Sequence, residues 1–415
     1  MSLKSELILI TNRYPYIPGE EFLTIELEYL CEVFNKVHII PINALNKSQK
    51  REVPSNVVIH DIFNRQNIGR LSKSLTALTD KQGLKWIVSE YKNASKHGMG
   101  SVAKLFSWAG TGILIRNYLA RTFLTGKRSN TKFVFYSYWL SLATGLSMLK
   151  ENNKGIWAFS RGHGGDIYDY RHSPPYLPLK KLVISNLNSL YVISDNGRQY
   201  LSEQNKTIEG KLNVARLGTR NQEEFIPHKR GDRFRIVSCS YLVPVKRLEL
   251  VINALKKCNH QITWTHIGDG PEREKLESLS KGLPENVHYT FLGNKSNVQV
   301  FDLYKSTDFD LFINVSSSEG IPVSIMEAYS FGIPALATDV GGTSEIVNDN
   351  NGTLVPKDID AKSLAIEIEK LIVMSEELYL QKCKNAHDTW ENFYNADRNY
   401  PEFIHEISNV GDDKK

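Results

Sequence analysis

Two glutamates eight residues apart, Glu319 and Glu327, bracket a stretch whose residue types suit the binding of a charged sugar derivative. Residues 310–332 begin as an apolar run, pass through a serine-rich loop at 316–318, and reach Gly320, Ile321 and Pro322, where the pattern turns helical. Proline is tolerated in a first helical turn because the donor it lacks would have no intrahelical partner there. A helix that opens here offers unpaired backbone N–H groups and the positive end of its dipole, a seat for phosphate. Glu319 stands just before that end. Glu327 stands about two turns in, on roughly the same side. The arrangement is an anion seat flanked by two carboxylates, spaced to hold hydroxyls at either end of a sugar–diphosphate–nucleoside.

Other loops carry residues of related chemistry. Lys246 and Arg247 pair two cations, Gly268-Asp269-Gly270-Pro271 forms a tight turn, and Gly341-Gly342-Thr343-Ser344-Glu345 is a second glycine-rich turn. Each follows an apolar run that reads as a strand: 235–240, 262–268, 310–315 and 334–338, with a further strand at 287–293. Helical patterns begin near Arg247, Pro271, Val298 and Ile321. This alternation predicts a doubly wound parallel sheet, in which ligands lie at the carboxyl ends of the strands. All four loops then fall on one rim.

The earlier part of the chain reads as a second such sheet. Strands are expected at 6–11, 37–40, 132–137, 156–160 and 189–194, and a helix after the loop 12–21. Polar residues around Pro227 mark the boundary. The expected domains are residues 1–228, with a basic helical insertion at about 61–130, residues 229–385, and a helical segment 386–415 whose last five residues fray. His163 falls in the glycine-rich loop after one inner strand, with Arg161, Asp166, Tyr168 and Arg171 around it.

With 41% hydrophobic and 23% charged residues among 415, the composition is that of a folded globular chain and excludes a disordered one. No apolar run approaches the roughly 20 residues that span a bilayer. The four apolar residues near the amino end are too few for a signal-peptide core. The cysteines Cys31, Cys239, Cys258 and Cys383 are scattered without metal-ligand spacing, consistent with a cytoplasmic protein. The net charge of +5 is unevenly spread. Residues 61–130 hold twelve Lys/Arg against three Asp/Glu, an excess of +9 that leaves −4 for the rest. Trp86, Tyr91, Phe106 and Trp108 share this segment. Basic and aromatic residues on helices suit an anionic membrane surface, or else form a solvated helical face whose aromatics enter the core.

Taken in order, these motifs resemble the retaining glycosyltransferases of the GT-B fold, family 4. The resemblance covers residues 235–356. Glu319 and Glu327 match the family's glutamate pair, and 242–246 its phosphate-lysine loop. Gly268 to Pro271 match its glycine turn, and 339–345 with 351–356 its closing segment. The resemblance implies two Rossmann-like domains facing a central cleft, with a C-terminal helix crossing back to the first; Trp390, Phe393, Tyr394, Tyr400 and Phe403 are the aromatics of that stretch. It implies that Lys246 and the helix start at Gly320 and Ile321 meet the donor diphosphate, that Glu327 holds the ribose and Glu319 the sugar. His163 would approach that sugar from the first domain. Gly19 stands where the family has a glycine pair beneath the phosphates, here beside Glu20 and Glu21. Tyr241 stands where the family has a second cation, which Arg247, or a hydrogen bond from Tyr241, would replace.

The implied reaction moves a sugar from a UDP- or GDP-sugar to a hydroxyl of a glycan or lipid-diphosphate-linked glycan, with retention and without a metal or other cofactor. The flavour is bacterial surface polysaccharide synthesis (capsule, lipopolysaccharide O-antigen, exopolysaccharide), in the cytoplasm or peripheral at the inner membrane face, with no nucleic acid partner. Two other readings share these motifs: a catalytically silent GT-B subunit that binds glycan or scaffolds a complex, and a nucleotide-sugar epimerase of the same fold. An epimerase would interconvert its nucleotide sugar without an acceptor.

Overall fold

The computed structural model describes residues 4–17, 19–44, 49–63, 70–125, 131–221 and 224–410. Parts of the basic segment, the two residues after Asn221 and the last five residues, expected to fray, lie outside that set. The chain divides into two compact units: Met1–Arg216 with Tyr400–Lys415, and Leu217–Asn399. The sequence reading placed these divisions after residues 228 and 385.

The first unit is built on seven strands: β1 (Lys4–Thr11), β2 (Lys36–Pro41), β3 (Val57–Ile59), β4 (Thr131–Ser137), β5 (Trp157–Gly162), β6 (Ser189–Val192) and β7 (Leu212–Val214). All pair in parallel, in the order β3-β2-β1-β4-β5-β6-β7. The inner strand β1 sets Ile8 opposite His38 on one side and Phe135 on the other. Leu7 through Ile10 are fully buried. A strand covered on both faces reads as a continuous apolar run rather than an alternating one.

Helix α1 (Leu23–Val33) joins β1 to β2. The basic segment folds as α2 (Arg70–Thr79), α3 (Lys81–Ser95) and α4 (Met99–Leu119), inserted between β3 and β4. Asp80 caps α3 by accepting the Gly83 N–H at 2.8 Å, and Arg116 of α4 donates to the same carboxylate at 3.0 Å. Trp86 is buried and its indole donates to Glu151 at 2.7 Å, so α3 is anchored by an aromatic facing inward. Phe106 packs against the same core, whereas Tyr91 is 49% exposed.

The second unit has six parallel strands: β8 (Phe234–Cys239), β9 (Ile262–Ile267), β10 (Val287–Phe291), β11 (Leu311–Asn314), β12 (Ala335–Thr338) and β13 (Gly352–Val355). Their order is β10-β9-β8-β11-β12-β13. The direction of winding reverses between β8 and β11, which is the topological switch point. A core of Ile236, Trp264, Ile313 and Leu336 from the sheet and Val251, Ile252, Leu364 and Ile368 from the helices holds it. Trp390 and Tyr394 belong to this unit, bound to Thr219 Oγ1 at 3.0 Å and to the Glu345 carbonyl at 3.2 Å. Phe393 is exposed. The last helix, Ala396–Ser408, starts in this unit, and its residues from Tyr400 onward pack within the first, where Phe403 lies against Tyr136 and Tyr191.

Candidate functional site

The parallel strands of the second unit bring four loops to one rim. The loop after β8 ends in a short 3-10 turn, Pro244–Lys246, and carries Lys246. The loop after β11 carries Glu319. Their side chains meet across the switch point, Nζ to Oε1 at 2.6 Å, both partly buried. The backbones are tied as well, since the Ser317 N–H donates to the Val245 carbonyl at 2.8 Å.

Two glycines let neighbouring loops press against these. Gly341 has φ of +59°, and a Cβ there would stand 2.0 Å from the Glu319 carbonyl oxygen. The loop after β12 therefore lies directly on Glu319, and the Gly342 N–H donates to the Gly320 carbonyl at 3.0 Å. Gly268, with φ of +137°, comes so close to Ser240 that a Cβ would sit 1.9 Å from its carbonyl oxygen. Such positions admit only a residue without Cβ. The Leu242 N–H then donates to the Asp269 carbonyl at 3.0 Å, and Gly270 packs on Leu242.

The helix after Glu319 spans Val323–Ser330, with Pro322 at the N-cap. It starts slightly later than the spacing predicts, because Pro322 is extended, with ψ of 111°, and Gly320 and Ile321 form the turn that leads in. Ile321 is buried beneath Gly342. Glu327 accepts from the Asn297 side-chain amide at 2.6 Å, and Asn297 is the first residue of helix Asn297–Ser306. Lys246 and Glu319 are thus in direct contact and the loop after β12 packs on Glu319 and Gly320, whereas Gly268 and Gly270 pack on Ser240 and Leu242 earlier in the loop that carries Lys246; Glu327 lies on the following helix.

Arg247 and Tyr241 stand differently. Arg247 takes a left-handed conformation, φ 53°, and its guanidinium donates to the carbonyls of Lys357 and Ile359. Its hydrogen bonds therefore go to the segment after β13. Tyr241 is 54% exposed.

In the first unit His163 follows β5 and is only 5% exposed. Its Nε2 lies 3.1 Å from the Tyr138 carbonyl, so that nitrogen carries the proton. Its ring packs on Trp139 at 4.5 Å, Tyr138 at 5.0 Å and Phe22 at 5.7 Å. Burial, with the nearby charge of Arg161, pulls the imidazole down to about 3, so it is neutral at physiological pH. Asp166 accepts the His163 N–H at 2.7 Å. Burial pushes its carboxyl up to about 7, against the pull of that bond and of the Ser141 N–H.

Arg161, expected in the polar cluster of this loop, is fully buried. Its guanidinium stands 3.6 Å from Glu26 and 4.4 Å from the Phe403 ring centre, and its Nε donates to the Tyr136 hydroxyl at 3.0 Å. Asp166 and Tyr168 are buried too, and Arg171 is partly exposed. Gly19, with φ of +115°, has its carbonyl held by Arg51 at 2.9 Å. The sequence reading assigned Glu20 no role. The structure gives it four hydrogen-bond donors.

Residues 219–389 match the family model described as glycosyl transferases group 1. The match falls within the second unit, Leu217–Asn399. The O-antigen biosynthesis glycosyltransferase WbnH of Escherichia coli is 37% identical over 123 residues, 30% of this chain and 33% of that protein. The GtfA subunit of a peptide N-acetylglucosaminyltransferase from Streptococcus agalactiae is 27% identical over 196 residues, 46% of this chain and 37% of that one. A putative colanic acid glycosyltransferase of E. coli, WcaL, is 26% identical over 244 residues, 56% and 59% of the two chains. The chain thus spans between a third and three fifths of these relatives. Among solved structures, the lipopolysaccharide outer core galactosyltransferase WaaB aligns with a TM-score of 0.66 at 13% identity, over 97% of this chain and 98% of that one. Anabaena HepE in complex with UDP and glucose aligns at 0.65 and 15%, over 99% and 100%. These likenesses extend beyond residues 219–389 to both units, and the chain has the GT-B fold. Among the described residues, no helix is long and apolar enough to cross a membrane.

Proposed function

We propose that the protein is a retaining glycosyltransferase, using a UDP- or GDP-sugar and an acceptor hydroxyl on a glycan or lipid-linked glycan in bacterial surface-polysaccharide synthesis. The observation that carries this reading is the contact of Lys246 with Glu319 at the switch point of a group 1 domain. The names of WbnH and WcaL support the polysaccharide setting, and the UDP complex of HepE supports a UDP donor.

On this reading the barrier lies in negative charge gathering on the departing diphosphate while the sugar becomes oxocarbenium-like. Fixed positive charge and N–H dipoles aimed at the phosphate lower it. Lys246 and the turn at Gly320 and Ile321 supply them, with no metal ion in the scheme. Glu319 holds the sugar hydroxyls and Glu327 the ribose diol. Without ligand, Lys246 and Glu319 neutralise one another. A partly exposed pair of this kind is worth on the order of 1 kcal/mol or less, so a donor can separate it readily. Phosphate then takes the ammonium and sugar hydroxyls take the carboxylate. The acceptor attacks the same face, and its proton passes to the leaving phosphate. The first unit, with the insertion α2–α4, is assigned the acceptor.

The test is a panel of nucleotide sugars screened by thermal denaturation. A true donor raises the melting temperature of the wild type, and raises that of Lys246→Ala much less. If no UDP-sugar, GDP-sugar or free nucleotide moves the wild type, the reading falls.

A further inference from the structure

The carboxylate of Glu20 is saturated with donors. Its Oε1 accepts the Asn12 N–H at 2.8 Å and the Trp139 indole N–H at 2.7 Å, and its Oε2 accepts the N–H groups of Arg13 and Tyr14, each at 2.6 Å. Three successive backbone N–H groups converging on one anion form a nest, a concavity of partial positive charge that elsewhere takes phosphate. Here the loop follows the inner strand β1, at the carboxyl edge of the sheet where external ligands usually bind.

The chain goes to some length to fill the nest from within. Gly19, with φ of +115°, turns the backbone back, and Glu20 itself is left-handed, φ 54°. That conformation is disfavoured for a residue with a Cβ. Arg51 fixes the Gly19 carbonyl, and the Asn43 side chain fixes Asn12 at 2.8 Å, so the loop is braced on both sides. Glu20 is 6% exposed. Through its fourth donor it also orients Trp139, whose ring lies 4.5 Å from that of His163.

We propose that residues 12–14 form an anion nest which the chain occupies with its own Glu20 carboxylate. The loop is thereby closed to external phosphate, and Glu20 is the positioning residue for the rings of Trp139 and His163. This inference does not rest on sugar transfer, and its test uses no nucleotide sugar.

Glu20→Gly is the informative variant, since glycine suits the left-handed backbone and only the carboxylate is lost. Melting is followed in sodium formate against sodium chloride at equal ionic strength, with indole fluorescence recorded alongside. The wild type melts alike in both salts. The variant melts lower, and formate restores about 2–4 °C in a saturable way, together with the wild-type emission of Trp139. Trp139→Phe in the same background shows no emission recovery. Inorganic phosphate stabilises the variant more than the wild type. Equal effects of formate and chloride on the variant, or a variant that melts with the wild type, overturn the proposal. Should Glu20→Gly not fold, Glu20→Gln decides. Its amide fills the nest but turns donors toward the N–H groups, so it must melt below the wild type and ignore formate. Melting at the wild-type temperature would show that the nest does not require an anion.

Discussion

Lys246 and Arg247 are neighbours with the same charge, yet the fold sends them to different work. Lys246 closes a 3-10 turn and reaches Glu319; Arg247 follows in a left-handed conformation that carries its guanidinium to the carbonyls of Lys357 and Ile359. Spacing gives no sign of this, because one positive-φ residue reverses where the next side chain goes. The consequence is that Arg247→Ala should lower stability by about 1.5–3 kcal/mol, the range for hydrogen bonds made by a charged group. Nucleotide-sugar affinity should stay within about twofold. Isothermal titration beside a urea melt reads both quantities. A tenfold loss of affinity at unchanged stability would show instead that the guanidinium swings to the phosphate. Tyr241, 54% exposed, is then the position at which a second cation could be added, and Tyr241→Arg is the gain-of-affinity counterpart.

At the scale of elements, much was legible in the chain. The inner strands β1, β4, β8 and β11 are apolar runs bounded by polar loops, and the parallel alternation with helices fixes which ends share a rim. The strands absent from the sequence reading are β3, β7 and β13, of three, three and four residues. β3, β7 and β13 lie at sheet edges and owe their pairing to a neighbour rather than to their own periodicity. Glu20 was illegible as an anchor for a related reason, since its partners Asn12, Arg13, Tyr14 and Trp139 meet it only after folding. Helix α3 has an inward and an outward face. Trp86 and Ile87 face the core, while Leu84, Val88 and Tyr91, at helical spacing, are 36%, 74% and 49% exposed. Lys81, Lys85, Lys92 and Lys96 are exposed along the same helix and its C-cap. An apolar stripe beside a row of lysines is suited to an anionic lipid surface, each lysine contributing about 1 kcal/mol there. Flotation with liposomes containing anionic lipid should capture the protein at low salt and release it as salt rises. Replacing the four lysines by glutamine should abolish capture. Capture that ignores both salt and these substitutions would exclude α3 as the contact.

For the molecule as a whole, buried histidines set the response to acid. Burial pulls His163 in the first unit down to about 3 and His60 to about 4, the latter helped by His38. In the second unit burial pulls His266 to about 4, where its Nδ1 lies 2.9 Å from the Ser238 hydroxyl. In the unfolded chain each protonates near 6.5. Between about pH 6.5 and 4 the unfolded chain therefore binds more protons than the folded one, and stability is lost as pH falls through that window. Each histidine contributes roughly 1.4 kcal/mol per pH unit. Asp166 acts oppositely. Its folded value of about 7 lies above the unfolded 3.8, so its contribution is greatest below pH 3.8 and is lost as pH rises through 7. Three histidines outnumber the two carboxyls that burial pushes up, Asp166 and Glu26, and the net slope across this window has the histidine sign. Urea melts from pH 7 down to 4.5 should show the midpoint falling throughout. His266→Phe, which removes one of these titrations, should flatten the slope by about 1.4 kcal/mol per pH unit. A midpoint that rises on acidification would mean that Asp166 and Glu26, whose carboxyl burial pushes up against the pull of Arg161, dominate instead.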